Sequence, residues 1–164
     1  KDADDAVMVT YIDIGRFTGM RLSEIGELST ESIVVESGVR CLRVRPDAKT
    51  EASSNRLIPI ASSLTSCIDL GNLDLRGPGN AVGKRFGRLK RRVLKDGLTR
   101  QKCFHSLRKF VVTELERAGI AEGVAADLVG HEKPNITYNV YSGGSSIEQL
   151  SHVVKVLERR QQDI

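Results

Sequence analysis

Ser32-Ile33-Val34-Val35-Glu36-Ser37-Gly38-Val39-Arg40-Cys41-Leu42-Arg43-Val44-Arg45-Pro46 is where the hydrophobic period of this chain changes. Ser32 to Val35 and Val39 to Val44 are β-branched or alternating, with Gly38 and Pro46 at the breaks, the pattern of short strands divided by turns. Arg56-Leu57-Ile58-Pro59-Ile60 has the same character. The segment therefore predicts a small antiparallel sheet of about three strands. On its N-terminal side, Asp4 or Asp5 is placed to cap a helix carrying Val7, Ile12, Ile14 and Phe17, which Thr18-Gly19 stops. A second short helix fits Arg21 to Leu28. Beyond Pro59 the pattern is helical over about Ser62 to Leu70, Ala81 to Lys95, His105 to Ala118 and Glu122 to Val129, with Gly77-Pro78-Gly79 and Gly119 as punctuation. A last helix, Ile147 to Arg160, aligns Ile147, Leu150, Val154 and Leu157 on one stripe. The fold class is α+β: a mainly helical domain with a small three-stranded antiparallel sheet at one edge.

Composition bounds the rest. With 164 residues, 40% hydrophobic and 28% charged, the chain can form one domain burying roughly 70% of its unfolded surface. No apolar run approaches the roughly 20 residues of a membrane span, so no membrane role is expected. The chain opens Lys1-Asp2-Ala3-Asp4-Asp5 without Met or signal peptide, which reads as a fragment of a longer protein. Within it, 142–164 reads as a linker, Ser142-Gly143-Gly144-Ser145-Ser146, followed by the last helix. Cys41, Cys67 and Cys103 are odd in number and form no CxxC pair. A disulfide framework or zinc site is not expected, and a reducing cytoplasm is.

Net charge is +4, but its distribution says more. Lys84, Arg85, Arg88, Lys90, Arg91, Arg92, Lys95, Arg100 and Lys102 face Asp96 alone, giving this window +8 and the remainder −4. Most charge runs are solvated helix faces. The near absence of acidic partners here favours a polyanion, with Lys84, Arg85, Arg88, Arg91 and Arg92 as candidate DNA contacts.

Certain polar residues have the chemistry to work on a phosphodiester. His105 and Arg108 lie three apart at a helix start, sharing a face where the helix end adds positive charge; a lone HxxR is ordinarily just a polar face. Arg21 presents a planar fork that matches two phosphate oxygens. Its plain alternative is a surface salt bridge to Glu24 or Glu27, and Glu24 is also spaced to orient it from behind. Lys49 lies between two strands, where a lysine is normally solvated but can also reach a DNA groove. His131 follows Gly130, which looks like a helix end; structural and functional readings of it are about even. Tyr138 and Tyr141 are candidate nucleophiles, and a phenol of pKa about 10 needs cations around it to attack near neutral pH. Tyr141 precedes the glycine-serine stretch, which suits a residue that must swing onto DNA; Tyr138 reads as core.

In this order the residues resemble the tyrosine recombinase, or phage-type integrase, family. Thr18-Gly19-Met20-Arg21-Leu22-Ser23-Glu24-Ile25 looks like its first-arginine box, and Lys49-Thr50 with Arg56-Leu57-Ile58-Pro59-Ile60 like its lysine hairpin. His105-Ser106-Leu107-Arg108-Lys109-Phe110 and Leu128-Val129-Gly130-His131 look like its next two boxes, and Tyr141 stands where its nucleophile should. Lys109 replaces a commoner histidine, and the His131–Tyr141 gap is one residue longer than the most frequent spacing, with Pro134 marking the insertion. The resemblance covers nearly all of 1–164 as a catalytic domain, without the DNA-binding domains that usually precede it. It implies that Arg21 and Arg108 clamp the phosphate, Tyr141 forms a 3′-phosphotyrosyl bond, Lys49 protonates the leaving 5′ oxygen, His105 transfers a proton at the nucleophile and His131 holds the phosphate. It implies no cofactor, neither nucleotide nor metal. It implies double-stranded DNA as partner, a tetrameric synapse through the final helix, whose stripe could equally fold back on its own core, and a cytoplasmic, nucleoid-associated place of work.

Other readings remain. Gly79-Asn80-Ala81-Val82-Gly83-Lys84-Arg85 echoes a P-loop but is one residue short and has Arg85 where Ser or Thr belongs. Three distant histidines are too few for a metal hydrolase. A non-catalytic DNA-binding module is the serious rival, and a type IB topoisomerase-like enzyme would share the chemistry.

Overall fold

A computed structural model of the chain describes residues 3–45, 55–75, 79–94, 102–131 and 144–162. Seven α-helices and one three-stranded antiparallel sheet are found among them, an α+β fold. Helix α1 (Ala3–Thr18) buries Met8, Tyr11, Ile14 and Phe17, spaced at three residues so that one stripe faces inward. Val7, nearer the helix start, is left 38% exposed, and Ile12 is half-buried against the core. The helix already runs at Ala3, so Asp4 and Asp5 fall within its first turn instead of capping it.

Helix α2 is one turn, Leu22–Ile25, shorter than the sequence predicts because Gly26 closes it with bonds to the Leu22 and Glu24 carbonyls. A 3₁₀ turn, Thr30–Ser32, then feeds the sheet. Strands β1 (Ile33–Glu36), β2 (Val39–Arg43) and β3 (Leu57–Pro59) pair in that order. Ile33 lies opposite Leu42, and Cys41 opposite Pro59. Ser37 and Gly38 both take positive φ (49° and 75°), as a two-residue hairpin turn with the strands' own twist requires. Pairing runs slightly past β2 and β3, since Val44 N donates to Arg56 O at 3.0 Å.

Helix α3 (Ser62–Cys67) ends earlier than the pattern suggests, and Leu70 sits in a separate 3₁₀ turn, Leu70–Asn72. Helices α4 (Gly79–Val93), α5 (His105–Arg117) and α6 (Glu122–Val129) follow close to expectation. The last helix, α7 (Ile147–Gln162), packs on α1, α5, α6 and β3. Its Leu150, Val153, Val154 and Leu157 are buried with Leu42, Ile58, Val111, Leu115, Leu128 and Val129, each such side chain contributing about 1.5–3 kcal/mol. Polar clamps flank this stripe. Glu158 accepts from Ser62 Oγ (2.7 Å) and Ser63 N, Arg160 Nε donates to Glu114 Oε2 (2.7 Å), and Gln161 Nε2 donates to Arg16 O (2.6 Å). At its start, Ser145 donates to Asp127 Oδ2 through both N (2.8 Å) and Oγ (2.6 Å). No described helix is long and apolar enough to cross a membrane.

Candidate active site

A helix leaves its last carbonyls without intrahelical partners and carries partial negative charge there. At the end of α6 three consecutive carbonyls each take a guanidinium. Arg56 Nε donates to Leu128 O at 3.1 Å, Arg108 Nη1 to Val129 O, and Arg108 Nη2 to Gly130 O at 3.0 Å. Arg21 Nη2 reaches the same Gly130 oxygen at 3.3 Å. Gly130 makes this possible. It ends α6 at φ +72°, and a Cβ there would stand 2.6 Å from Arg56 Nη1, so a side chain would be strained in conformation and would push Arg56 aside.

Local sequence brings each arginine in. Gly19, at φ +66°, turns the chain out of α1 so that α2 starts at once with Arg21 before it. That turn also aims the Gly19 carbonyl at Arg108 Nη1, 2.9 Å away. Arg108 is one turn into α5, 2% exposed. Arg56 is fixed by the end of the sheet.

One carboxylate organises this set. The Glu24 side chain is fully buried. Its Oε1 accepts from Arg21 Nη1 (2.8 Å) and Arg56 Nη1 (3.0 Å), and its Oε2 from Arg21 N (2.7 Å) and Arg56 Nη2 (2.8 Å). Burial pushes the Glu24 carboxyl pKa up, but the bonds and charge of Arg56, then Arg21, outweigh it and hold the group below its ordinary value. Glu24 is therefore ionised at neutral pH.

The histidines complete the site. His131 Nε2 accepts from Arg108 Nε at 3.1 Å, which requires a neutral imidazole carrying its proton on Nδ1. Burial first, then the charges of Arg108, Arg21, His105 and Arg56, push the His131 pKa down. Burial and the charges of Arg108, Lys109 and Arg21 do the same to His105. Burial and Arg21 pull Arg108 down to about 10, still cationic at pH 7.

Among the described residues, Arg21 and Arg56 bond the one carboxylate, and Arg108 joins Arg21 on the Gly130 carbonyl, so three guanidiniums stand with one carboxylate, a surplus of two positive charges. The exposure pattern says which groups a ligand meets. Arg21 keeps 32% of its side chain open against 8% for Arg56, and His105 and His131 are exposed. Such a site suits an oxyanion with several acceptor oxygens. No group of three His, Cys, Asp or Glu among the described residues is placed to hold a metal ion.

The structure brings Arg21, Glu24, His105, Arg108 and His131 together. Lys49, Tyr138 and Tyr141 lie outside the described residues. Arg56 escaped the sequence reading as a functional residue; the available signal was an arginine directly abutting a strand whose next residues turn inward. Of the basic residues, Lys84, Arg85, Arg88, Lys90, Arg91 and Arg92 all lie on α4, which has no acidic residue. Its other face is apolar: Val82 is buried, and Phe86 meets Phe104 edge-on at 5.4 Å. Helix α4 packs on α1 and α2, and Gly83 faces Leu22, the residue after Arg21.

Fold and site together define a class: a mainly helical domain with an edge sheet, closed around a carboxylate-held arginine set at a helix end. An integrase from mycobacterium phage Brujita has a similar solved structure, with a TM-score of 0.65 over 93% of this chain at 16% identity. The likeness establishes an integrase-like fold. This chain spans about half, 52%, of that integrase. No family model matches the chain, and no curated protein does.

Proposed function

We propose that this domain cleaves and rejoins DNA strands by transesterification, as an integrase or tyrosine recombinase, with Tyr141 as the nucleophile. The observation that carries this reading is the convergence of Arg21, Arg108 and two neutral histidines on the end of α6. A non-catalytic DNA-binding face needs cations on a surface, as α4 supplies. It does not need a buried, carboxylate-held arginine set with histidines at its mouth.

The step begins with a phosphodiester seated against Arg21 and the remaining Arg108 Nη2 N–H. Neutral His105 takes the proton as the Tyr141 oxygen attacks phosphorus. Arg21 and Arg108 stabilise the charge gathering on the non-bridging oxygens; loss of one such donor typically costs about 10²–10³ in rate. His131 holds the phosphate with a hydrogen bond from its Nδ1–H and keeps that proton. The bond to the 5′ oxygen breaks, Lys49 gives that oxygen a proton, and a 3′-phosphotyrosyl bond remains. A 5′-hydroxyl from the same or another strand reverses the step, so recombination and simple relaxation share it. Helix α4 supplies the sequence-independent hold on DNA. In this structure the α7 stripe is occupied by the chain's own core, so assembly of several copies on DNA would use another surface or a released α7.

The test is a duplex carrying a 5′-bridging phosphorothiolate, whose departing thiol cannot religate. The expected result is a protein–DNA adduct that survives denaturing electrophoresis. DNA binding with no adduct on any duplex would leave a binding module instead.

A further inference from the structure

Arg56 spends its guanidinium on Glu24 and the Leu128 carbonyl. Its backbone is tied to the sheet through Val44 N. Its guanidinium holds both Glu24 oxygens, at 3.0 and 2.8 Å, and its Nε holds the Leu128 carbonyl at 3.1 Å. It therefore joins three separate elements: the end of the sheet, α2 and α6. It also lies hard against Gly130, whose carbonyl is the acceptor that Arg21 and Arg108 share. Two like-charged guanidiniums converge on one oxygen only if that oxygen and the facing carboxylate are held still.

We propose that Arg56 is a positioning residue: through Glu24 and the Gly130 peptide it sets where Arg21 and Arg108 stand against the phosphate. The proposal rests on the strand-cleavage reading above. A planar fork is needed, because a lysine at 56 can hold one Glu24 oxygen but cannot hold both together with Leu128 O. A misplacement of about 1 Å at such a site can cost about 10² in rate.

The experiment compares wild type with Arg56→Lys, Arg56→Gln, Glu24→Gln and the Arg56→Gln/Glu24→Gln double variant, all in the full chain. Proton–nitrogen spectra of the arginine Nε–H groups come first, since they require no cleavage. Arg56→Lys should shift the Arg21 and Arg108 Nε–H signals while the backbone amide pattern stays native; unchanged arginine signals would overturn the proposal. Single-turnover cleavage of the phosphorothiolate duplex comes second. Arg56→Lys should slow cleavage at saturating DNA about 10²-fold with DNA affinity unchanged. The double variant should be no slower than the slower single one, since both remove the same contact. Additive losses would mean that Arg56 does not act through Glu24. Without Arg56, burial acts on Glu24 with less opposition, its pKa rises, and the acid limb of the rate profile moves to higher pH; a general loss of stability moves no limb. Wild-type failure to form an adduct would sink the cleavage reading and leave the spectra to decide the positioning. A normal cleavage rate in Arg56→Lys, with wild-type adduct present, would sink the positioning alone.

Discussion

Arg108 commits four of its five N–H groups to protein acceptors: His131, Gly19, Val129 and Gly130. Arg21 keeps an open edge. Their substitutions should therefore separate. Arg108→Ala orphans buried carbonyls, each worth about 1–3 kcal/mol, so it should cost about 3 kcal/mol or more in urea unfolding as well as cleavage. Arg21→Ala leaves Glu24 paired with Arg56 and should cost clearly less stability than Arg108→Ala while losing cleavage about as badly. Equal stability losses would contradict the division. The histidines give a pH dependence of definite sign. Their folded pKa values lie below the ordinary 6.5, so the unfolded chain binds more protons as pH falls. Their contribution to stability is full above about pH 6.5 and is lost as pH drops below it. Glu24, also depressed, adds a loss of the same sign at lower pH. Urea midpoints should fall from pH 7.5 to pH 5.5, and fall less in a His105→Asn/His131→Asn variant. Arg21, His105, Arg108 and His131 were legible in the sequence because short motifs carry them, each beside a helix boundary. Arg56 was not, because its role exists only once the sheet end, α2 and α6 meet.

Helix α6 is eight residues long, yet its C-terminal turn anchors the site. Gly130→Ala should cost about 1–2 kcal/mol for the left-handed conformation alone. It should also displace Arg56, so that cleavage falls further than stability explains. Thermal melts and cleavage rates on one preparation check this. Helix α7 behaves differently from a free arm. Its stripe continues the core, and Glu158, Arg160 and Gln161 fasten it to α3, α5 and α1. Leu157→Ala should cost about 2–5 kcal/mol, and removing 147–164 should yield a chain without cooperative unfolding. A truncated chain that still folds and binds DNA would show that α7 is dispensable to the core. The period-2 segments and most helix starts were readable because apolar spacing reports the buried face directly. The single turn of α2 and the break at Cys67 were not, since closure by Gly26 and the 3₁₀ turn at Leu70 leave little trace in periodicity.

At the scale of the molecule, one basic helix packs beside the helix that Arg21 begins, on a chain of net charge +4. Binding to DNA should then depend steeply on salt. On the proposed DNA-binding role of α4, replacing Arg88 or Arg91 by Ala should lower the slope of log K against log salt by about 1 without changing sequence preference. The α+β class was legible because the strand-like stretch from Ser32 interrupts an otherwise helical pattern. The closure of that sheet end over the site was not, because it depends on Arg56 reaching Glu24 across 32 residues. The central claim joins this frame to a tyrosine. Its most direct test is peptide mass spectrometry on the adduct trapped with the phosphorothiolate duplex, after protease and nuclease digestion. The prediction is a nucleotide mass on the peptide containing Tyr141, localised to that residue and absent from Tyr141→Phe. The same mass on Tyr138, or an adduct that persists in Tyr141→Phe, would contradict it.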